Sequence, residues 1–303
     1  MARRFDPALI PTDNRKELPV KIDATLRSSG GDDALSALFE ARYAGASQVP
    51  PHRELPVLET LLSHRSVRAY LPEPVPDDDV AGAIAAAQSA ATSSNLQAWN
   101  VIEVRDAERK ARLAHLANDQ KHIREAPLLL VWLADLERLR RVAELTEHAS
   151  EALDYLEMFV TGAIDAALAA QNATVAFEAM GYGTCYIGSM RSHPEAVAAE
   201  LALPPRVFAV FGMTVGREDP ERETDLKPRL PQHAVRFPER YGGTGLEKDV
   251  ANYDAAMRQL QERQRMPVIG WSTKTSKRVE GAASLKNRDK LKGFLRGMGF
   301  GLR

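Results

Sequence analysis

Residues 151–180 read EALDYLEMFVTGAIDAALAAQNATVAFEAM, thirty residues without a proline. Wound at 3.6 residues per turn, Leu153, Leu156, Val160, Ile164, Ala167, Leu168, Val175 and Phe177 cover most of the helix circumference. A helix that is apolar nearly all round belongs in the centre of a protein or at a subunit interface. Gly181 and Gly183 follow at once, and glycine is the usual residue just past a helix end. The rest of the chain has to pack around this element.

On its C-terminal side, residues 184–187 read as a strand, 194–201 as a helix and 207–215 as a strand. On its N-terminal side, a short amphipathic helix starts at Leu55 and ends near Ser63. A clear helix follows over 77–91. Pro76 precedes it, and Asp77, Asp78 and Asp79 fill its first turn, where the helix dipole favours negative charge. Thr92-Ser93-Ser94-Asn95 stops it. Residues 101–104 read as a strand, 108–117 as a helix and 128–133 as a buried strand. A few strands scattered among many helices, without regular alternation, predict an α+β sandwich rather than a doubly wound parallel sheet.

The two ends differ from this centre. Residues 1–54 mix prolines and the Gly30-Gly31 pair with polar residues, and read as an extension that drapes over the core or a partner. One helix fits 32–43, and no chemistry is visible there. Residues 55–240 form the core unit. After Gly216, four prolines at 220, 228, 231 and 238 space out a chain with little periodicity, as in a segment that wraps a surface. Residues 241–303 form a helical excursion, with a helix over 246–264. Its tail from Trp271 onward carries nine Lys and Arg against Glu280 and Asp289.

Composition narrows the function classes. The 303 residues hold 40 Lys and Arg against 41 Asp and Glu, a net charge of −1. That balance excludes a generally basic nucleic-acid wrapper. A 44% hydrophobic content excludes an acidic disordered chain. The single cysteine, Cys185, leaves no intrachain disulfide and no cysteine metal cluster. The first residues carry no apolar signal region. The apolar stretch 158–180 is broken by Asp165, Gln171, Asn172 and Glu178, which argues against a bilayer span. A soluble, cytoplasmic protein is expected.

Several motifs are missing: a GxGxxG turn after a strand, a P-loop and a zincin histidine pair. The seven histidines are dispersed, so no catalytic metal is expected. Cys185 in GTCYIG reads as a packed, inert thiol. Three short blocks remain. His64-Arg65-Ser66-Val67-Arg68 offers cations and a hydroxyl at a helix end, a set that suits an anion. Thr92 to Asn95 offers hydroxyls and N–H groups in a tight turn, and Lys227-Pro228-Arg229 holds two cations apart. Alone, each is also an ordinary turn or loop.

Together and in order, HRSVRAY, TSSNLQAW, QKH, YIGSM after the long helix, and LKPRLP resemble the nitroreductase family. The likeness is greatest to its NADPH-linked, oxygen-insensitive nitroreductases and flavin reductases, and it runs from about Leu55 to the C-terminus. It implies a homodimeric sandwich around a long central buried helix, with FMN in clefts at the dimer interface.

By this resemblance His64 and Ser66 hold the FMN phosphate, Lys227 and Arg229 complete that site, and Arg65 is counted among the cofactor-binding residues. Arg68 faces the pyrimidine edge of the isoalloxazine, where a cation stabilises the charge of reduced flavin. Gln120 bonds the same edge, with Lys121 and His122 beside it. Thr92, Ser93 and Ser94 line the ribityl chain or ring, from the second subunit. Tyr186, Ile187, Gly188 and Ser189 pass the flavin face. Hydride would move from NADPH through flavin N5 to a nitroaromatic, a quinone or a related acceptor in a ping-pong sequence. No side chain is then needed as nucleophile or base. Arg263, Arg265, Lys274 and Arg278 are the candidates for gripping the cosubstrate. Two alternatives stand beside this: a reductase that supplies reduced FMN, and a nucleotide- or RNA-binding module built on the basic tail.

Overall fold

The run LLLVWLAD at 128–135 is buried along its whole length, as a strand covered on both faces must be. In the computed structural model, which describes residues 42–43, 56–222, 224–242 and 245–303, it is β2 (Leu128–Asp135). It pairs antiparallel with β1 (Trp99–Val104) on one side and with β4 (Val207–Gly216) on the other. Strand β3 (Gly183–Ile187) pairs antiparallel with β4, which completes a four-stranded sheet in the order β1-β2-β4-β3.

Alternation along β2 sends its side chains to two cores. Leu128, Leu130 and Trp132 pack with Val80, Ala83 and Ala87 of α2 (Asp77–Gln88) and with Ala169, Ala170, Ala173 and Phe177 of α6 (Leu156–Ala179). Leu129, Val131 and Leu133 pack on the other side with Leu113 of α3 (Ala107–Leu116), Ile123 of α4 (Lys121–Glu125) and Val197 of α7 (Pro194–Glu200). Each fully buried aliphatic side chain contributes about 1.5–3 kcal/mol of burial. The alanines of α6 let that helix lie close to the sheet. The chain is thus the mixed helix and sheet sandwich that the sequence predicts.

All four expected strands are present. Short α1 (Pro56–Ser63) precedes the core, and α5 (Glu137–Leu145), absent from the sequence reading, follows β2. The long helix begins later than 151. Residues 151–154 form a separate 3₁₀ turn, and Tyr155 is extended at φ −89°, ψ 149° before α6 starts. Nor is α6 buried all round in the single chain. Leu156, Val160, Ile164 and Leu168, four residues apart, form an apolar stripe 40–52% exposed.

The C-terminal excursion consists of α8 (Leu246–Arg263), α9 (Trp271–Arg278) and α10 (Leu291–Gly297). It docks on the core through its last helix. Leu295 and Phe300 are buried, and Phe300 meets Phe159 and Phe208 edge-on. Among the described residues no helix is long and apolar enough to cross a membrane.

Candidate functional site

The site starts where the chain leaves α1. Residues 64–70 run beside β3: Ser66 bridges Thr184 in parallel, and the Val67 N–H donates to the Thr184 carbonyl at 2.9 Å. A Cβ on Gly183 would lie 2.5 Å from the Val67 side chain, so glycine is what lets the two segments touch. Extended geometry sends alternate side chains to opposite sides. Arg65 turns away to an ion pair with Glu218 at 2.7 Å and is not brought to Arg68. His64 is held by Glu178 near the end of α6. Its Nδ1 lies 2.6 Å from Glu178 Oε1, which also accepts the Thr184 hydroxyl at 3.0 Å.

Arg68 and Lys227 lie near enough for the charge of one to act on the other. The Lys227 ammonium is lowered below the usual lysine range by burial, then by the charges of Arg68, Lys274 and Arg229. Cys185, buried beneath them, has its thiol pushed up by burial while Arg68 and Lys227 pull it down. A raised thiol is a poor nucleophile at neutral pH, consistent with a packed cysteine. Among the described residues neither Arg68, Lys227 nor Arg229 has a carboxylate within 4 Å. Arg68 donates to the Ser66 carbonyl, and Arg229 to the Lys227 and Pro228 carbonyls. Clustered cations without counter-charge raise the local potential. An anion placed among them would be stabilised.

Gln120 and Ser189 meet, with the Gln120 amide donating to the Ser189 hydroxyl and, at 2.9 Å, to the Ala117 carbonyl. Next to them His122 is buried, and its Nε2 has no partner. Burial, then the charge of Arg68, drives its pKa down to about 4. With Trp132 Nε1, it is one of two such orphaned atoms among the described residues. Lys121 is elsewhere, paired with Glu125 at 2.8 Å on the surface. Ile187 is buried against the second core. Tyr186 points to the α6 side, its hydroxyl 2.9 Å from the Thr174 hydroxyl, and burial raises it to about 12. A Cβ on Gly188 would meet only the Arg191 guanidinium, at 3.3 Å.

The serine block is held further back along α6, near the helix middle. The buried Asp165 accepts the Ser93 N–H at 3.1 Å and the Ala98 N–H at 3.0 Å. Between them, Ser94, Asn95 and Gln97 take left-handed φ of 48°, 56° and 51°. Thr92 Oγ1 accepts the Gln97 N–H. Asp165 and Glu178 are 13 positions apart in sequence on one helix, which is about 20 Å along its axis. Within one chain, Thr92, Ser93 and Ser94 are therefore not brought to the His64 block.

The four cosubstrate candidates separate. Lys274 is near enough for its charge to act on Lys227. Arg278 belongs with Arg191 and Arg288, and burial together with its neighbours' charges lowers Arg191 below the usual guanidinium range. Arg263 pairs with Asp225 at 3.3 Å, and Arg265 is exposed on a left-handed turn.

The sequence reading missed Arg42, in the extension where it saw no chemistry. Arg42 is 5% exposed. Its guanidinium donates to the carbonyls of Leu62 and Lys227, both at 2.8 Å, and to that of His64. Its own carbonyl accepts the Arg229 N–H at 2.6 Å. No local pattern marks such a residue, because all its partners are backbone groups distant in sequence.

The chain is similar to known proteins over most of its length. A model of the nitroreductase family matches residues 61–217, and one of that family's C-terminal domain matches 227–303. The chain belongs to the nitroreductase family. Within it, the chain is 41% identical over 179 residues to the FMN reductase (NADPH) of Bacillus subtilis, an alignment covering 59% of this chain and 71% of the relative. It is 36% identical over 199 residues to an oxygen-insensitive NADPH nitroreductase of Salmonella typhimurium, covering 66% and 80%. Its fold superposes on the NADPH:FMN oxidoreductase of Vibrio harveyi, a structure complexed with NAD⁺, with a TM-score of 0.72 and 30% identity over 82% of this chain and all of that one. Arg42 lies before the residues that the nitroreductase model matches.

Proposed function

We propose that this nitroreductase-family chain is an FMN-dependent oxidoreductase. It takes hydride from NADPH and reduces nitroaromatics, quinones or related acceptors by a ping-pong sequence. The observation that carries the reading is that the Lys227–Arg229 segment is tied through Arg42 to the turn at His64, with Arg68 near enough for its charge to act on Lys227 and no carboxylate within 4 Å of Arg68, Lys227 or Arg229 among the described residues. That donor set suits a dianionic phosphate, and the orphaned His122 Nε2 offers a buried polar atom to a heterocycle edge.

Ser66, His64, Lys227 and Arg229 would hold the phosphate end. Arg68, Gln120 and His122 would hold the polar edge of the ring, and Gly188 and Ser189 would pass its face. FMN, when bound there, would supply the two-electron chemistry. The residues orient it and set its electrostatics, with Arg68 stabilising the negative charge of the reduced form. Lys274 and Arg278 are the cations placed to grip the phosphates of the cosubstrate.

Two copies form the working unit, paired through the exposed stripe of α6. The 20 Å separation supports this: the serine block can complete a site only on a second chain. The stripe supports it independently, as a row of large aliphatics open to water.

Purified protein is expected to be yellow. Its flavin absorbance should bleach with NADPH, not with NADH, and return when a nitroaromatic or a quinone is added. Protein that neither carries FMN nor takes up added FMN would refute the reading. The names of the Bacillus and Vibrio relatives favour a second reading, the supply of reduced flavin. Turnover with free FMN alone, and none with nitro compounds or quinones, would select it.

A further inference from the structure

We infer that Arg42 is a positioning residue of the cofactor site, by which the N-terminal extension fixes the two halves of the phosphate corner against each other. The inference rests on the flavin reading above. It concerns a residue that lies outside the stretch carrying the family likeness.

One half of the corner is the turn at His64, and the other is the strap Lys227-Pro228-Arg229. They are more than 160 positions apart in sequence, and the backbone hydrogen bonds of the sheet do not join them. Arg42 does. The guanidinium is a planar fork with five N–H donors, and here it spends them on both sides. It donates to the carbonyls of Leu62 and His64 on the first half and to that of Lys227 on the second. Its own carbonyl then takes the Arg229 N–H. Four backbone groups are thus fixed through one buried residue.

Charge gives Arg42 a second role. It has no carboxylate within 4 Å among the described residues. Burial and the charge of Arg229 lower its pKa while Glu178 raises it, but a guanidinium stays protonated throughout the working range. It therefore adds a fixed positive charge behind His64 and Arg229. An apolar side chain or a lysine could not serve. The first lacks donors and charge, and the second is a point donor without the fork that reaches three carbonyls.

The consequence is selective. Loosening the corner should weaken a ligand that carries a phosphate and leave one without it largely alone. The probes are FMN and riboflavin, titrated into flavin-free full-length protein by fluorescence quenching. Arg42→Ala is expected to weaken FMN at least tenfold and riboflavin less than twofold. Arg42→Lys is expected to weaken FMN about threefold to fivefold, again without moving riboflavin. Should Arg42→Ala fail to fold, the lysine variant carries the test alone. Equal losses of both flavins in Arg42→Lys, or no loss of either, would overturn the inference. Failure of the flavin reading itself shows differently, since the unaltered protein would then bind neither probe.

Discussion

Helix α6 carries two carboxylates, Asp165 buried near its middle and Glu178 half-buried at its C-terminal end, and they are used differently. Asp165 is bonded to two main-chain N–H groups, of Ser93 and Ala98. Glu178 is bonded to two side chains, of His64 and Thr184. The first carboxylate fixes a shape, a turn with three left-handed non-glycine residues that would not persist without an anchor. The second fixes the His64 ring beside a cation cluster. One helix thus sets the backbone of one block and anchors the side chains of the other.

The strongest way to break this contrast is Asp165→Ala. It strands the buried Ala98 N–H, at about 1–3 kcal/mol, and leaves the more exposed Ser93 N–H to water, so the urea unfolding free energy should fall by about 2 kcal/mol. Flavin occupancy should fall with it. A loss under 1 kcal/mol would mean that the turn holds itself. Glu178 should respond more mildly. Glu178→Gln keeps an acceptor oxygen for Thr184 and His64 but replaces the carboxylate by a neutral amide. We expect about 1 kcal/mol in stability and a several-fold loss of FMN affinity, read in the same two assays. Equal effects at the two positions would erase the distinction between a main-chain anchor and a side-chain anchor.

A pH series sharpens the comparison at His122, which has no anchor of either kind. Its folded pKa is about 4, against about 6.5 for an unperturbed histidine. Between those values the unfolded chain binds a proton that the folded one does not, so stability rises with pH across that window and falls as the protein is acidified. The flavin-free protein should therefore lose roughly 3 kcal/mol between pH 6.5 and 4 through this residue. The His122→Phe variant should lack that part of the slope. Parallel unfolding curves for the two proteins would contradict the buried, neutral state of His122.

The elements legible in the sequence are those with a local pattern. The LLLVWLAD strand, the three aspartates at the start of α2 and the glycines after α6 each mark themselves within a few residues. Helix α5 was missed because its residues are mostly charged and its one buried residue, Glu137, carries no apolar period. The site was legible as an ordered set of blocks and not as geometry. Neighbouring letters hid opposite fates. Arg65 pairs with Glu218 while Arg68 acts by its charge on Lys227, because an extended segment faces two ways. Lys121 stays at the surface while His122 is buried. Arg42 could not be read at all, since its function is to bond carbonyls, which every residue has. The start of α6 was misplaced because Tyr155, extended in the fold, looks in sequence like one more helical aromatic.

The central claim is that separate cationic blocks converge on one phosphate-bearing flavin. Its most direct test is the FMN affinity of the double variant Lys227→Ala, Arg229→Ala, measured by fluorescence titration alongside its circular dichroism. We expect at least a hundredfold weaker binding with an unchanged spectrum and unfolding midpoint. Full FMN affinity in that variant would place the phosphate elsewhere and contradict the account.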